Sequence, residues 1–509
     1  MKIFKGFKLI FSRLFLVGLA VILQVTLLSY FIFDLTQSYF YFQVSEAIFG
    51  FLAFIAINNS KKIHPEHKIL WVILLLVIPF VGITLYILFM INTPSKKIIK
   101  KYTTYDKKII SKSNEYQREI KSISNKYYGQ IKYIESMSSL TCCKNTKCTY
   151  FYDGMHFYES LLNDLKNATK FILMEYFIIN NGKMWNGILD ILKEKVKEGV
   201  EVKFLYDDLG SCRYVSGNYY KYLRKLGIKC YKFNPMIPLV SSYHNNRDHR
   251  KITIIDGKIA YTGGINISDE YINLTHPYGY WKDNAVRLEG EAANNLTILF
   301  LQLYGVASRT KQDFEYYMNK DNDIVSDEII MPYGTGPKNF YYENMATDIF
   351  LNMISQAQHS IDISTPYLII DYALTNALIA ASKRGVRVRI LIPSKPDKKL
   401  IYAFTKQAAL QLLSNGVEIY TYTPGFNHAK SFLVDNKIAF VGTTNLDFRS
   451  LIHHYECGVY IYNSPCIKEI DINFEKDYLK SKKVAQKDFK NKLITTIIVS
   501  FLKIFQSLL

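Results

Sequence analysis

Apolar residues along this chain fall into two kinds of run: long uncharged ones near the start, and short strand-like or helix-like ones after about residue 150. Residues 14–33 are twenty positions without a charge and residues 69–91 are twenty-three. As helices, both reach across a hydrocarbon core of ~30 Å. Residues 40–57 are shorter and carry Gln43 and Glu46, which predicts a third span or a re-entrant segment. No small-residue cleavage site follows the first run, so it reads as an anchor, not a removed leader.

Beyond residue 150 the pattern alternates helix and strand, and it does so twice. Helices near 157–167 and 188–197 and strands at 170–179 and 201–206 are answered by helix 346–357, strand 360–370, a helix ending at Lys383 and strand 386–392. Gly199 and Gly385 close matching helices. The expected class is α/β, with two homologous halves behind amino-terminal transmembrane helices. The expected partition is a membrane domain at 1–95, a basic juxtamembrane connector at 96–150, and halves at 151–325 and 326–509. The second half ends in an apolar helix over 493–509.

A finer repeat lies inside the coarse one. His249, Lys251, Asp256, Gly263 and Asn266 recur as His428, Lys430, Asp435, Gly442 and Asn445, every position displaced by 179. Residues 251–255 and 258–262 are rich in β-branched and apolar side chains and flank Asp256-Gly257, a strong hairpin signal. Residues 431–434 and 437–441 flank Asp435-Asn436 in the same way. A two-residue turn pairs Ile255 with Lys258 and puts His249, Lys251, Gly264 and Asn266 on one hairpin face. The second hairpin gathers His428, Lys430, Thr443 and Asn445. Histidine, lysine and asparagine around a small residue make a socket for a phosphoryl oxyanion. Asp256 stands five residues from Lys251, roughly 16 Å along a strand. Both motif aspartates therefore read as turn-forming, away from the substrate.

Composition narrows the partner. Hydrophobic content of 49% with 15% aromatics excludes general disorder, and a net charge of +19 favours an anionic partner. Nucleic acid and an acidic membrane both fit the charge, but the apolar runs select the membrane. Lys2, Lys5, Lys8 and Arg13 before the first run, and Lys96, Lys97, Lys100, Lys101, Lys107 and Lys108 after the last, place both ends inside, with a cytoplasmic catalytic part. Lys61, Lys62 and Lys68 draw the intervening loop inward too, so two and three spans both stand. Cys142, Cys143 and Cys148 cluster too tightly for a full zinc site, and the seven cysteines read as reduced structural thiols.

The duplicated His-x-Lys-x4-Asp-x6-Gly-x2-Asn resembles the phospholipase D superfamily. The flanking blocks resemble its bacterial cardiolipin synthase branch: Tyr206-Asp207-Asp208-Leu209-Gly210-Ser211, Trp281-Lys282-Asp283, Thr365-Pro366-Tyr367-Leu368, and Asn445-Leu446-Asp447-Phe448-Arg449-Ser450. The resemblance implies two phospholipase D-like halves packed about a pseudo-twofold, and a catalytic set of His249, Lys251, Asp256, His428, Lys430 and Asp435. It implies phosphate contacts from Asn266, Asn445, Gly264 and Thr443. His249 is expected as nucleophile and His428 as general acid and base. Each imidazole is expected to lean on a carboxylate, Glu456 matching the family's acid after the second motif and Asp283 its counterpart for the first.

The implied reaction joins two phosphatidylglycerols into cardiolipin through a phosphohistidine. It needs no cofactor and no metal, acts on phosphatidylglycerol and other anionic phospholipids, and belongs in a bacterial cell membrane. Another phosphatidyltransferase, a phospholipid hydrolase and a non-catalytic lipid-binding scaffold are the alternatives. Asp248 stands where the family has Asn, and is expected to raise the neighbouring histidine's pKa. His453-His454-Tyr455 replaces a more apolar lead into Glu456.

Overall fold

In the computed structural model, residues 125–236, 245–337 and 344–489 are described throughout, together with helices Tyr39–Asn59, Pro65–Val77 and Lys96–Thr103 and scattered nearby positions. The chain divides into two compact units, and the larger takes in residues 95–234 and 247–493.

The smaller unit holds helices Tyr39–Asn59 and Pro65–Val77. Ile57, Trp71 and Leu75 bury against one another there, while Ile48, Phe49, Phe51 and Leu52 stay exposed. Among the described residues no helix is long and apolar enough to cross a membrane. The expected run at 14–33 falls almost entirely outside the described residues, as does the apolar helix expected at 493–509.

The larger unit is built on two sheets. The first contains β1 (Thr146–Phe151), β2 (Phe171–Tyr176), β3 (Glu201–Asp207), β4 (Lys229–Phe233), β5 (Lys251–Ile255), β6 (Ile259–Gly263) and, after a short β7 (Tyr280–Lys282) that lies apart, β8 (Ala285–Gly290). Its order is β1-β8-β6-β5-β2-β3-β4. The second contains β9 (Ile329–Thr335), β10 (Ser360–Ser364), β11 (Arg387–Pro393), β12 (Glu418–Tyr422), β14 (Ser431–Val434), β15 (Ile438–Gly442), β16 (Glu456–Tyr462) and β17 (Ser481–Lys483). Its order is β9-β16-β15-β14-β10-β11-β12-β17, the same arrangement strand for strand with one strand added. In each, three parallel strands (β2-β3-β4, β10-β11-β12) adjoin an antiparallel set led by the motif hairpin.

Period-2 alternation explains the layering. Every residue of β2 is buried, with Leu173 facing a core shared with the second half and Ile172, Met174 and Tyr176 facing helices Gly154–Lys166 and Lys183–Lys197. The shared core runs through helix Ala292–Ser308 to Ile330, Ile361 and Phe432. The expected connector also joins it: helix Asn125–Ser138 packs on the second half, where Tyr133 donates to the Asp348 carboxylate at 2.7 Å. All seven cysteines are free, and Cys212 alone is not buried.

The hairpin register corrects the sequence expectation by one residue. Ile255 pairs with Ile259 and Val434 with Ile438, so each turn has three residues, 256–258 and 435–437. Asp256 and Gly257 both take positive φ (53° and 70°), and so do Asp435 and Asn436 (52° and 51°). The reason lies outside the hairpin. The Asp256 carboxylate accepts from the backbone N–H groups of Thr169, Lys170 and Phe171 and from the Thr169 hydroxyl, all within 2.8–2.9 Å. Asp435 accepts likewise from Gln358, His359 and Ser360. A one-residue slip reverses which face each opposed side chain shares. Lys251 therefore lies level with Gly263 by this register, and Gly264 lies beyond the paired strand.

Asp256 and Asp435, grouped by motif with the catalytic residues, thus fasten the start of β2 and β10 at the far end of each hairpin. Asp256→Ala should lower stability by about 1–3 kcal/mol, the scale for orphaning such donors, and leave the turnover expected of the folded protein near the parent value. Thermal unfolding and an assay at a temperature where both stay folded check it.

Candidate active site

At the two motif histidines the halves exchange backbone. His249 N–H donates to the carbonyl of Tyr455 at 2.9 Å, and Tyr455 N–H returns to Arg247 at 2.8 Å. His428 N–H donates to Lys282 at 2.7 Å, where β7 runs parallel to β13 (Gly425–Asn427). Each exchange delivers the next residue of the opposite half to an imidazole. Glu456 follows Tyr455, and its carboxylate lies 2.9 and 3.0 Å from His249 Nδ1. Asp283 follows Lys282, and its carboxylate lies 2.6 Å from His428 Nδ1. The pairing is crossed: each half supplies a histidine to its own motif and a carboxylate to the other.

The crossing fixes tautomers. A carboxylate beside Nδ1 accepts its proton, which leaves both Nε2 atoms as bare nitrogens when the rings are neutral. Burial strengthens that state. His249 is pushed well below the usual histidine range, first by burial and then by Lys251, Lys430 and His428. His428 is pushed down to about 4 by burial and Lys430, against the pull of Asp283. Charges from the second half act on His249, and Asp283 and Glu456 both act on Lys251 and Lys430. The two hairpins therefore form one electrostatic site.

Both lysines are almost wholly buried, and each donates to the carbonyl of its own histidine. Burial lowers Lys251 to about 8 and Lys430 to about 7. Two cations this costly to desolvate call for an anion to face. The charged forms exist below these pKa values and an anionic phosphodiester needs them. kcat/KM is therefore expected to be highest just below neutrality and to fall as pH rises through about 7 to about 8. Lys430→Arg, which stays charged throughout, should shift that fall to higher pH. A flat profile from neutral to mildly alkaline pH would contradict this reading.

The remaining expected residues divide. The Asn266 carbonyl accepts from Ile178 N–H at 3.1 Å and its amide donates to Tyr271 at 2.7 Å. The side-chain oxygen of Asn445 is buried with no hydrogen-bond partner, and an amide flip would present its NH2 there instead. Gly264 and Thr443, expected on phosphate, meet the carboxylates. A Cβ on Gly264 would come within 2.0 Å of Asp283 Oδ1, and the Thr443 hydroxyl donates to Glu456 Oε2. Both positions shape the seats of the imidazole-orienting acids.

His249 is pushed down, against the rise expected from Asp248. The Asp248 carboxylate points to the opposite side of the chain, where it and Glu175 share the buried Arg250, with Glu175 at 2.8 Å and Asp248 at 3.5 Å from Nε. Asp207 holds the same stretch from behind, accepting from Asp248 N–H at 3.0 Å and capping the turn at Asp208–Ser211. The sequence marks His454 as a departure from the family but assigns it no role. A π-helical turn at Arg449–His453 leads into it, and it lies buried with its ring 5.4 Å from that of His249. Only the unusual histidine pair before Glu456 signalled it.

The family described as "Cardiolipin synthase, PLD-like domain" matches residues 161–297 and 350–478, one block around each histidine and its half's carboxylate. The chain belongs to the cardiolipin synthase family of the phospholipase D superfamily. Relatives support the assignment along most of the chain. A "Cardiolipin synthase" of Oceanobacillus iheyensis is 33% identical over 451 residues, covering 86% of this chain and 93% of that protein. "Cardiolipin synthase 1" of Staphylococcus aureus is 37% identical over 354 residues, covering 69% and 71%. An uncharacterized protein of Streptococcus mutans is 40% identical over 441 residues, covering 85% and 94%. Among solved structures, phosphatidylserine synthase of Haemophilus influenzae shares the fold. Its TM-score is 0.58 at 13% identity, covering 76% of this chain and all of that one.

Proposed function

We propose that this cardiolipin synthase family member moves a phosphatidyl group from one phosphatidylglycerol to another, giving cardiolipin and glycerol through a phosphohistidine on His249. The observation that carries the reading is the pair of crossed imidazole–carboxylate contacts beside two buried lysines. His249 Nε2 attacks phosphorus, and the bond from phosphorus to the glycerol oxygen breaks. His428 gives that oxygen its Nε2 proton. The neutral His428 then takes the proton of the incoming glycerol hydroxyl, whose oxygen displaces His249. Protons balance over the cycle.

His249 suits the nucleophile because burial and the charges of Lys251 and Lys430 hold its ring neutral. His428 must be charged for the first step, and the arriving phosphodiester anion offsets the lysine charge that depresses it. Lys251 and Lys430 neutralise the phosphoryl oxygens, with Asn445 as an added contact.

The exposed apolar side chains of helix Tyr39–Asn59 and the uncharged runs of the first 95 residues support attachment to the bacterial membrane by several spans, and the lysines flanking those runs support a cytoplasmic catalytic part. Incubation of the purified full chain with phosphatidylglycerol alone tests the reaction. Cardiolipin and glycerol in equal amounts are expected. Phosphatidic acid as the sole lipid product would replace the reading with hydrolysis, and no turnover would remove it.

A further inference from the structure

His454 adds a third ligand-type side chain beside the nucleophile. His249, His454 and Glu456 are buried and offer ligand atoms within 4.8 Å of one another. Glu456 Oε1 lies 2.9 Å from His249 Nδ1 and 3.6 Å from His454 Nδ1, while Oε2 is taken by the Thr443 hydroxyl. His454 Nδ1 is buried and makes no hydrogen bond. Two imidazole nitrogens thus converge on one carboxylate oxygen. Ligands around a tetrahedral zinc, each about 2.0–2.2 Å from the metal, sit at comparable spacings.

We propose that His249, His454 and Glu456 form an inhibitory site for a borderline divalent ion, zinc foremost, held by two imidazole nitrogens and one carboxylate oxygen. Two imidazoles and a carboxylate favour zinc over magnesium or calcium, which prefer oxygen. Three protein ligands leave a fourth position for water. The inhibition follows from the tautomer. A metal on Nδ1 of His249 displaces the proton now given to Glu456, and that proton moves to Nε2 of the same ring. That nitrogen loses its lone pair for phosphorus. Lys251 and Lys430 repel a cation, so binding is expected to be weaker than at a closed structural zinc site.

The effect on turnover rests on the function proposed above, whereas binding is read without it. The full chain, freed of metal by chelation in detergent and phosphatidylglycerol, is titrated with zinc for activity and with cobalt(II) for visible absorption. Expected are inhibition by zinc, reversal by chelator, and intense tetrahedral-type cobalt absorption. His454→Asn and His454→Gln should turn over in chelator like the parent. They should need about 10- to 100-fold more zinc for the same inhibition, at least the range for losing an outer partner of a metal-bound histidine. If either variant is inactive, cobalt decides: both His454 variants and His249→Gln must lose the absorption. Equal zinc sensitivity in parent and His454 variants, or no tetrahedral cobalt spectrum, overturns the site. Failure to make cardiolipin with intact cobalt binding would instead count against the function alone.

Discussion

His249→Ala should abolish cardiolipin formation, with turnover down by about 10^4-fold or more, because no other group can carry the phosphatidyl moiety. His428→Ala should cost about 10^2- to 10^4-fold, the range for a general acid and base. The two losses are expected to differ in kind. A donor lipid whose leaving group is an acidic phenol needs no proton on departure, so His428→Ala should recover much of its first step, and His249→Ala none. Release of the phenol, followed separately from cardiolipin formation, makes the distinction. Full activity in either alanine variant would sink the two-histidine mechanism. Recovery in His249→Ala but not in His428→Ala would exchange their roles.

The second large effect comes from residues that sequence alone would give to the wrong partner. Glu456 lies in the second half and serves the histidine of the first; Asp283 does the reverse. Glu456→Gln and Asp283→Asn keep size and burial but cannot hold Nδ1–H in the same way. Each should lower kcat by about 10^4-fold, the scale for turning an imidazole-orienting carboxylate into an amide, with KM little changed. The activated donor separates them. Asp283→Asn should recover as His428→Ala does, and Glu456→Gln should not, as with His249→Ala. The opposite pattern would mean that each carboxylate serves its own half.

Much of this site was legible in the chain because strands impose a period of two and hairpins announce their turns. The repeat at 179 exposed His249, Lys251, His428 and Lys430, and the αβ alternation exposed the paired sheets. What escaped depends on contacts between distant segments. The turns gained a residue because Asp256 and Asp435 tie to the N–H groups opening β2 and β10, which no local pattern records. The carboxylates cross because β7 and the residues before β16 leave their own half to pair with the other. Thr443 turned from substrate to Glu456, and His454 gained meaning only through the same carboxylate.

Both motif hairpins resolve into half-sites, and the central claim is that one histidine of the pair carries the phosphatidyl group in transit. Trapping it is the direct test. Full-length protein is mixed with phosphatidylglycerol labelled in the phosphatidyl part, quenched within one turnover in denaturing alkali, and mapped by peptide. Expected is an acid-labile phosphoryl adduct on His249, absent from His249→Ala and enriched in His428→Ala when the donor carries the phenol leaving group. An adduct on a side chain outside the pair, or cardiolipin formed with no protein-bound label at any time, would contradict it.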